Sequence, residues 1–289
     1  MTARLGLILL LAMVSISSTS LVIRYVATVP VLVLAFWRMF IASGMLWSFS
    51  VAKPRGTLSL INKKRIIFAG IFLGCHFACF FVGVRHTSIA NATLLANMGP
   101  IFTLLIALAQ GRKSNTMTYL GLGMAGVGAI IIQANDFSIL GGENFFGNSL
   151  ALLSALFFAL TYVVAEAIRV ETGNIVYGRA LFLVAAITLL VIAVFSGNSI
   201  FDFQPQHIVW LLFLGLVPSI LGHNMLNYAV KYVTPTAVSS VSLGEPIIAS
   251  LFGLFLFGEA IPVSAILGGP IILIGVYIVL KNQVSNVAN

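Results

Sequence analysis

Three ionisable residues, Arg38, Arg179 and Glu245, lie inside long apolar stretches of the sequence. An ionised side chain at the centre of a bilayer costs about 2.5–3.5 kcal/mol on insertion scales, so such residues usually face a cavity or a partner. Arg38 is far from either end of its stretch, and it could attract a carboxylate or bond the carbonyls at a helix end. Arg179 is near enough to one end for its guanidinium to reach lipid headgroups. All three are predicted to be coupling or structural charges.

Glu245 directly precedes Pro246. The proline ring removes a backbone donor and kinks a helix, so free carbonyls and a carboxylate meet at one point. A glutamate enclosed by apolar groups could carry a proton. Alternatively, Glu245 pairs with Arg38, Arg179 or a helix terminus and only stabilises the fold. The sequence leaves both interpretations open.

Cys75, His76 and Cys79 lie close together in the third apolar stretch. Zinc usually takes four ligands, and no second cluster of ligands is evident in the sequence. We therefore predict no metal site. Instead, His76 is expected to line a cavity, while the cysteines pack as small apolar groups.

The segment Gly121-Leu122-Gly123-Met124-Ala125-Gly126 matches the nucleotide-binding pattern G-x-G-x-x-G. That pattern needs a preceding strand, and here it lies within an apolar stretch of membrane-spanning length. The small residues at 121, 125 and 128 instead predict close helix contact, in a helix pair or in a homodimer. The sequence implies no cofactor and no catalytic group.

Polar side chains on several apolar stretches predict a hydrophilic site inside the protein. The most polar stretch contains His223, Asn227 and Tyr228. Its amides would be unsatisfied against lipid, so they must face water, a solute or another helix. The predicted substrate-binding residues are Ser17, Ser18, His76, Asn97, Tyr162, His223, Asn227, Tyr228, Ser242 and Glu245.

The composition requires a membrane. Of 289 residues, 60% are hydrophobic and 8% charged, and the mean hydropathy is +1.10. Soluble proteins carry roughly 25% charged residues. The formal charge of +8 is spread over short loops, which disfavours nucleic-acid binding.

A spanning helix needs about 20 apolar residues, which gives ten spans in an all-α membrane protein. They start near Leu5, Val29, Ile66, Ser88, Met117, Phe146, Ile175, Ile208, Thr236 and Pro262.

Basic residues in the short loops predict the orientation of the chain. If both termini are cytoplasmic, most of them fall on the cytoplasmic side, with Arg24 and Arg85 as exceptions. The cytoplasmic set is Lys53, Arg55, Lys63, Lys64, Arg65, Arg112, Lys113, Arg169, Lys231 and Lys281, and the acids of the opposite loops are Asp136, Glu143, Asp202 and Glu259. We predict a multi-pass protein of the cell membrane, the inner membrane if the source is bacterial.

The two halves of the chain repeat each other. Pro100 and Pro246 are 146 residues apart, and Gly128 and Gly275 are 147 apart. Each half has five predicted helices, and an odd number inserts the second half in the opposite orientation. We therefore predict two inverted five-helix repeats, residues 1–140 and 141–289, around a central cavity. Secondary transporters commonly have this architecture.

The segment 243–249, Leu-Gly-Glu-Pro-Ile-Ile-Ala, and the segment 257–259, Phe-Gly-Glu, resemble the C-terminal signature of the EamA-type branch of the drug/metabolite transporter superfamily. The spaced glycines Gly268 and Gly275 and the arginine Arg38 are similar to that family as well. The resemblance covers the whole chain. It implies a ten-helix carrier of small metabolites, often amino acids and often exported. Because the family has an arginine at the position of Arg38 with many substrates, the structural role is favoured for Arg38.

We predict a secondary transporter that exports amino acids or related zwitterions by alternating access, with possible proton coupling, as a monomer or homodimer. No ATP-binding motif is present in the sequence. The alternatives are efflux of drug-like amphipathic compounds, a channel, and an intramembrane lipid-handling protein. An enzyme is not expected, because the histidines are scattered and form no converging acid–base pair.

Overall fold

A computed structural model of the protein describes residues 3–52, 56–133, 144–257, 261 and 263–282. Regular structure in these ranges is helical throughout. The α-helices are α1 (Ala3–Tyr25), α2 (Val31–Ala52), α3 (Leu60–His86), α4 (Ile89–Ala96), α5 (Gly99–Ala109), α6 (Thr116–Gln133), α7 (Phe145–Arg169), α8 (Asn174–Phe195), α9 (Ile208–Leu214), α10 (Asn224–Ala229), α11 (Pro235–Ser240), α12 (Glu245–Phe257) and α13 (Val263–Asn282).

These helices form the ten predicted spans. In the described ranges, eight helical segments are long and apolar enough to cross a membrane, and Thr116–Ile132 is a shorter apolar helix. The remaining span, residues 235–257, consists of α11, a 3₁₀ turn (Val241–Gly244) and α12. The prediction of an all-helical membrane protein is therefore confirmed. The third span begins at Leu60, earlier than expected, because Ser59 caps its first turn by accepting from the Asn62 N–H.

The fourth and ninth spans are both interrupted, at corresponding positions of the two repeats. α4 ends at Ala96 and α5 begins at Gly99, followed by Pro100. In the second repeat, α12 begins at Glu245, followed by Pro246. A proline fits the first turn of a helix because the amide it lacks would be unpaired there. The interruption before Pro246 is the 3₁₀ turn Val241–Gly244, and the first repeat has a two-residue turn, Asn97-Met98, at the corresponding place. We call both interruptions breaks.

The eighth span is also irregular. Between α9 and α10, residues Gly215–His223 form a π-helical segment that contains Pro218. Its wider turn lets the Ser219 hydroxyl donate to the Leu214 carbonyl at 2.7 Å. Such π segments are frequent at functional sites.

The helix contacts follow an approximate twofold symmetry. α6 crosses α13 where Gly121 faces the Gly275 carbonyl and Gly128 faces the Gly268 carbonyl. Gly121 corresponds to Gly268 in the other repeat, and Gly128 corresponds to Gly275. The twofold symmetry therefore relates the contact of Gly121 with Gly275 to the contact of Gly268 with Gly128, as two inverted repeats require. The small-residue stripe of α6 is therefore buried against α13 of the same chain.

The same symmetry relates the other contacts. α2 packs against its counterpart α8, α3 packs on α7, and α1 packs on the corresponding eighth span. The division of the chain at residues 140 and 141 stays a prediction, since residues 134–143 lie outside the described ranges.

Helix α7 shows that Arg85 and Lys231 lie at opposite ends of the bundle. Its first turn contacts the end of α3, where Thr87 donates to Asn148 at 2.7 Å. Its last residue, Arg169, donates to the Asn227 carbonyl at 3.0 Å, next to the connection that holds Lys231. The 25 residues between these ends span about 37 Å at 1.5 Å per residue.

We therefore expect Lys231→Cys and Arg85→Cys to react with a membrane-impermeant maleimide from opposite sides of the membrane. Both side chains are exposed. The background would carry Cys75→Ala and Cys79→Ser, since both native cysteines are partly exposed. Labelling of Lys231→Cys from the cytoplasmic side alone would agree with the predicted orientation. Labelling of both positions from one side would contradict the inverted repeat.

Of the other residues used to predict the orientation, Lys53, Arg55, Asp136, Glu143 and Glu259 lie outside the described ranges.

Candidate functional site

A small cavity lies inside the bundle, where the breaks of the fourth and ninth spans meet. Its volume is about 40 Å³. Asn97 at the first break and Ser242 and Glu245 at the second contribute directly to its wall. The lining residues are Ile16, Thr19, Arg38, His76, Phe77, Phe80, Ala96, Asn97, Phe158, His223, Ser242 and Glu245.

Arg38 reaches the cavity from α2 and is fully buried. It lies seven residues after Val31, which places it about 10 Å into the helix at 1.5 Å per residue. Its Nε donates to Ser219 Oγ at 2.9 Å, and its guanidinium carbon lies 4.4 Å from the centre of the Phe77 ring. The expected bonds to helix-end carbonyls are not among the hydrogen bonds of the described residues. Arg38 has instead a hydroxyl acceptor and an aromatic face.

Glu245 enters the same cavity as the first residue of α12. Its Oε2 accepts from Asn97 Nδ2 at 3.3 Å, so the two helix breaks are joined by a side-chain hydrogen bond. Glu245 interacts electrostatically with Arg38, but no ion pair within 4.0 Å joins them in the described part of the chain. A buried acid and a buried base therefore face one cavity without direct contact.

His76 and His223 form the aromatic side of the cavity with Phe77 and Phe158. The His76 ring stacks on Phe158 with centroids 4.7 Å apart, and His223 meets Phe77 edge-on at 5.1 Å. His76 Nδ1 lies 2.9 Å from the Ser154 carbonyl oxygen. Because a carbonyl oxygen can only accept, Nδ1 carries a proton, and Nε2 of the neutral ring is an acceptor.

Five of the predicted binding residues are brought together in this lining: His76, Asn97, His223, Ser242 and Glu245.

The other predicted binding residues lie outside the lining. In α1, Ser17 and Ser18 donate back to the Met13 and Ser15 carbonyls at 2.8 and 2.7 Å, while Thr19 lines the cavity. The phenol ring of Tyr162 contacts the Phe158 ring edge to face, with centroids 4.6 Å apart.

Asn227 and Tyr228 lie near the Lys231 end of the bundle. The Asn227 carbonyl accepts from Arg169, and the Tyr228 ring contacts Tyr232, with centroids 5.1 Å apart. One turn of helix separates these residues from His223, so a stripe that looks continuous in the sequence divides between the cavity and the bundle end.

Arg179, the counterpart of Arg38 in the second repeat, also lies away from the cavity. Its Nη2 donates to the Gly56 carbonyl at 3.1 Å, and its guanidinium covers the Trp47 ring at 4.2 Å. This position agrees with the expectation that Arg179 is near one end of its span.

Sequence reasoning missed Ser219, Phe77 and Thr19 as neighbours of the site. Ser219 follows Pro218 inside an apolar stretch, and a hydroxyl beside a helix-breaking residue is the signal that could have identified it. Phe77 and Thr19 carry no such signal, because their contacts depend on the rotation of α3 and α1.

A larger pocket of about 760 Å³ opens at the Lys231 end of the bundle, between α5, α7 and α11. At its rim, Arg112 forms an ion pair with Glu166 at 2.6 Å. The pocket reaches Thr103, whose hydroxyl lies 3.3 Å from Ser239 Oγ. We call this pocket the vestibule, and it lies at the end of the bundle that the predicted orientation would place on the cytoplasmic side.

In the described ranges, no three His, Cys, Asp or Glu residues are grouped so as to hold a metal ion. The cavity offers one cation, one acid, two imidazoles and aromatic faces. These groups match a solute with both polar and apolar parts, but the cavity, at about 40 Å³, would have to widen to admit one, because a single water molecule already takes about 30 Å³.

Comparison with known proteins adds the family context. The EamA-like transporter family matches the chain twice, over residues 4–134 and 145–281. A protein of Archaeoglobus fulgidus named as an uncharacterized transporter is 25% identical over 259 residues, 86% of this chain and 88% of its own. A protein of Pseudomonas aeruginosa named as a pseudopaline exporter is 25% identical over 254 residues, 86% of this chain and 85% of its own. A solved crystal structure has the same fold, with a TM-score of 0.79, 17% identity and 96% of both chains covered.

Proposed function

The chain belongs to the EamA-like transporter family, and on that premise we propose that it is a secondary carrier that exports amino acids or related zwitterions from the cytoplasm by alternating access. The observation that carries this proposal is the cavity where two homologous helix breaks meet, with Arg38 and Glu245 both in its wall. The family and the relatives' names indicate transport rather than an enzyme activity.

Alternating access would use the inverted repeats. In such folds one repeat can adopt the conformation of the other, which moves the opening from one side of the membrane to the other around a fixed site. The central cavity has a volume of only about 40 Å³, while the vestibule near Lys231 has about 760 Å³. With the predicted orientation, a cytoplasmic solute would collect in the vestibule and reach the cavity when α5 and α11 separate.

Proton coupling would use Glu245. Its carboxyl group is buried, lies in the cavity and is held by Asn97 across the two breaks. Protonation would remove the negative charge that interacts with Arg38, and a change of charge in the cavity can bias the equilibrium between two conformations. The carrier would act in the cell membrane as a monomer or homodimer, with both termini cytoplasmic.

A second candidate function is efflux of drug-like amphipathic compounds. The phenyl rings of Phe77, Phe80 and Phe158 in the cavity wall favour it. The relative named as a pseudopaline exporter favours an exported metabolite instead. Arg38 would distinguish the two candidates, because a free amino acid has a carboxylate that a guanidinium can bind and a lipophilic cation has none.

Counterflow in proteoliposomes tests the carrier proposal. The purified protein would be reconstituted with unlabelled amino acid inside, in large excess over the labelled solute outside. A carrier gives uptake that internal solute stimulates several-fold. A channel gives no stimulation, and protein-free liposomes control for leakage. A panel of amino acids, nucleosides and lipophilic cations that shows no stimulated uptake would contradict the proposal.

A further inference from the structure

We propose that Arg38 binds a carboxylate group of the transported solute, so that the carrier selects substrates with a free carboxylate. This inference rests on the proposed function, because it assigns one part of the same cavity. It goes further by naming the group on the solute and the residue that recognises it, and it separates amino acids from cationic drugs.

The charge of Arg38 needs an anion that the described residues do not supply in contact. Arg38 is fully buried, and a buried charge is costly unless it is paired and hydrogen-bonded. In the described ranges the ion pair within 4.0 Å joins Arg112 and Glu166, not Arg38. Of the lining residues, Glu245 is the acid, and His76 and His223 bring no negative charge.

The geometry of the guanidinium leaves donors free in its own plane. The Phe77 ring covers the face of the group, and Ser219 accepts from Nε. Nη2 is buried and has no hydrogen-bond partner among the described residues. A guanidinium has five N–H donors in one plane and binds carboxylates through two parallel hydrogen bonds. Arg38 is therefore oriented by one donor while others can receive a carboxylate.

The separation of Arg38 from Glu245 explains why they do not simply neutralise each other. Asn97 donates a hydrogen bond to the Glu245 carboxylate. Ser219, in the eighth span, accepts a hydrogen bond from Arg38 of the first repeat. A solute with a carboxylate at Arg38 and an ammonium at Glu245 would match both charges at once. An amine without a carboxylate would leave Arg38 unmatched.

Arg179 provides a matched control, since it is the counterpart of Arg38 in the second repeat. Its guanidinium already has the Gly56 carbonyl and the Trp47 ring as partners and does not line the cavity. Replacing it removes the same charge from the same type of helix without touching the proposed site.

The experiment compares three chemical classes of probe on wild type, Arg38→Gln, Arg38→Lys and Arg179→Gln. Each amino acid of the counterflow panel is tested beside its decarboxylated amine and its deaminated acid, for example phenylalanine, phenethylamine and 3-phenylpropionate. Binding is measured by thermal shift of purified protein, since a ligand of the folded form raises its melting temperature. Size-exclusion chromatography checks that each variant folds.

We expect the wild type and Arg179→Gln to bind the carboxylated probes at least about tenfold more tightly than the amine, since hydrogen bonds between charged groups are stronger than those between neutral groups. Arg38→Gln should lose this preference. Arg38→Lys keeps the charge but loses the paired donors, so it should weaken binding about tenfold. It serves as the test if Arg38→Gln does not fold.

Equal binding of acid and amine by the wild type, or an unchanged preference in both Arg38 variants, would overturn the assignment. Stimulated counterflow of solutes without a carboxylate would also overturn it, while the carrier proposal would stand. Conversely, Arg38-dependent binding of carboxylates without any counterflow would support the site and contradict the carrier. Absence of both binding and counterflow would contradict both.

Discussion

Glu245→Gln is expected to abolish proton-driven transport while the protein still folds and reaches the membrane. Glutamine has the shape of a protonated glutamate and keeps an oxygen that can accept from Asn97, so the contact between the two helix breaks survives. It cannot exchange a proton, however. In proteoliposomes with an imposed pH gradient, we expect solute accumulation to fall to the level measured without a gradient, because a carrier that binds no proton has no conformation that the proton gradient favours.

Glu171→Gln is the matched control for this variant. Glu171 is exposed between α7 and α8 and does not line the cavity, so the same chemical change there should leave the response to the gradient intact. If Glu245→Gln accumulates solute like the wild type under the same gradient, Glu245 has no part in proton coupling.

Gly275→Ala is expected to destabilise the fold strongly for a change of one methyl group. An added Cβ would lie 2.5 Å from the Gly121 carbonyl oxygen and 2.6 Å from the Ala125 amide nitrogen. Both are backbone atoms, which cannot move aside without separating α6 from α13. Overpacking of this kind costs about 1–3 kcal/mol. The melting temperature in detergent should fall, and less monodisperse protein should be recovered.

Gly123→Ala separates this packing effect from helix propensity. A Cβ at Gly123 has no heavy atom within 4 Å, and alanine is favoured over glycine in a helix by about 0.8–1.0 kcal/mol. The control should therefore keep or raise the melting temperature while Gly275→Ala lowers it. Equal melting temperatures for Gly275→Ala and the wild type would show that α6 and α13 are not in such close contact.

The ten spans and the inverted repeat could be predicted without coordinates, for a physical reason. In a bilayer each span must satisfy its own backbone and expose apolar side chains, so hydropathy alone marks it. The spaced glycines and the prolines at 100 and 246 also indicate a repeat, because close helix contacts and helix breaks each require a particular residue type.

The break of the fourth span is not among the sequence predictions, although Pro100 gives the same signal as Pro246. Hydropathy predicts one continuous helix from Ser88, whereas the structure ends α4 at Ala96. The second break has the acid Glu245, whereas the corresponding residue of the first repeat is Gly99. A search for buried charges alone therefore finds the second break and misses the first.

Residue types therefore determined the class of protein, its spans, its repeat and which buried charges need an explanation, since each depends on local composition and spacing. Tertiary packing decided which residues line the cavity. Arg38 and Arg179 hold corresponding places in the two repeats. Arg38 contacts Ser219 and Phe77 in the cavity, whereas Arg179 contacts Gly56 and Trp47 away from the cavity. Asn227 and His223 share a helical face, yet the cavity includes only His223. The surroundings of a side chain depend on the rotation and depth of its neighbouring helices, and these arise from contacts between residues far apart in the chain.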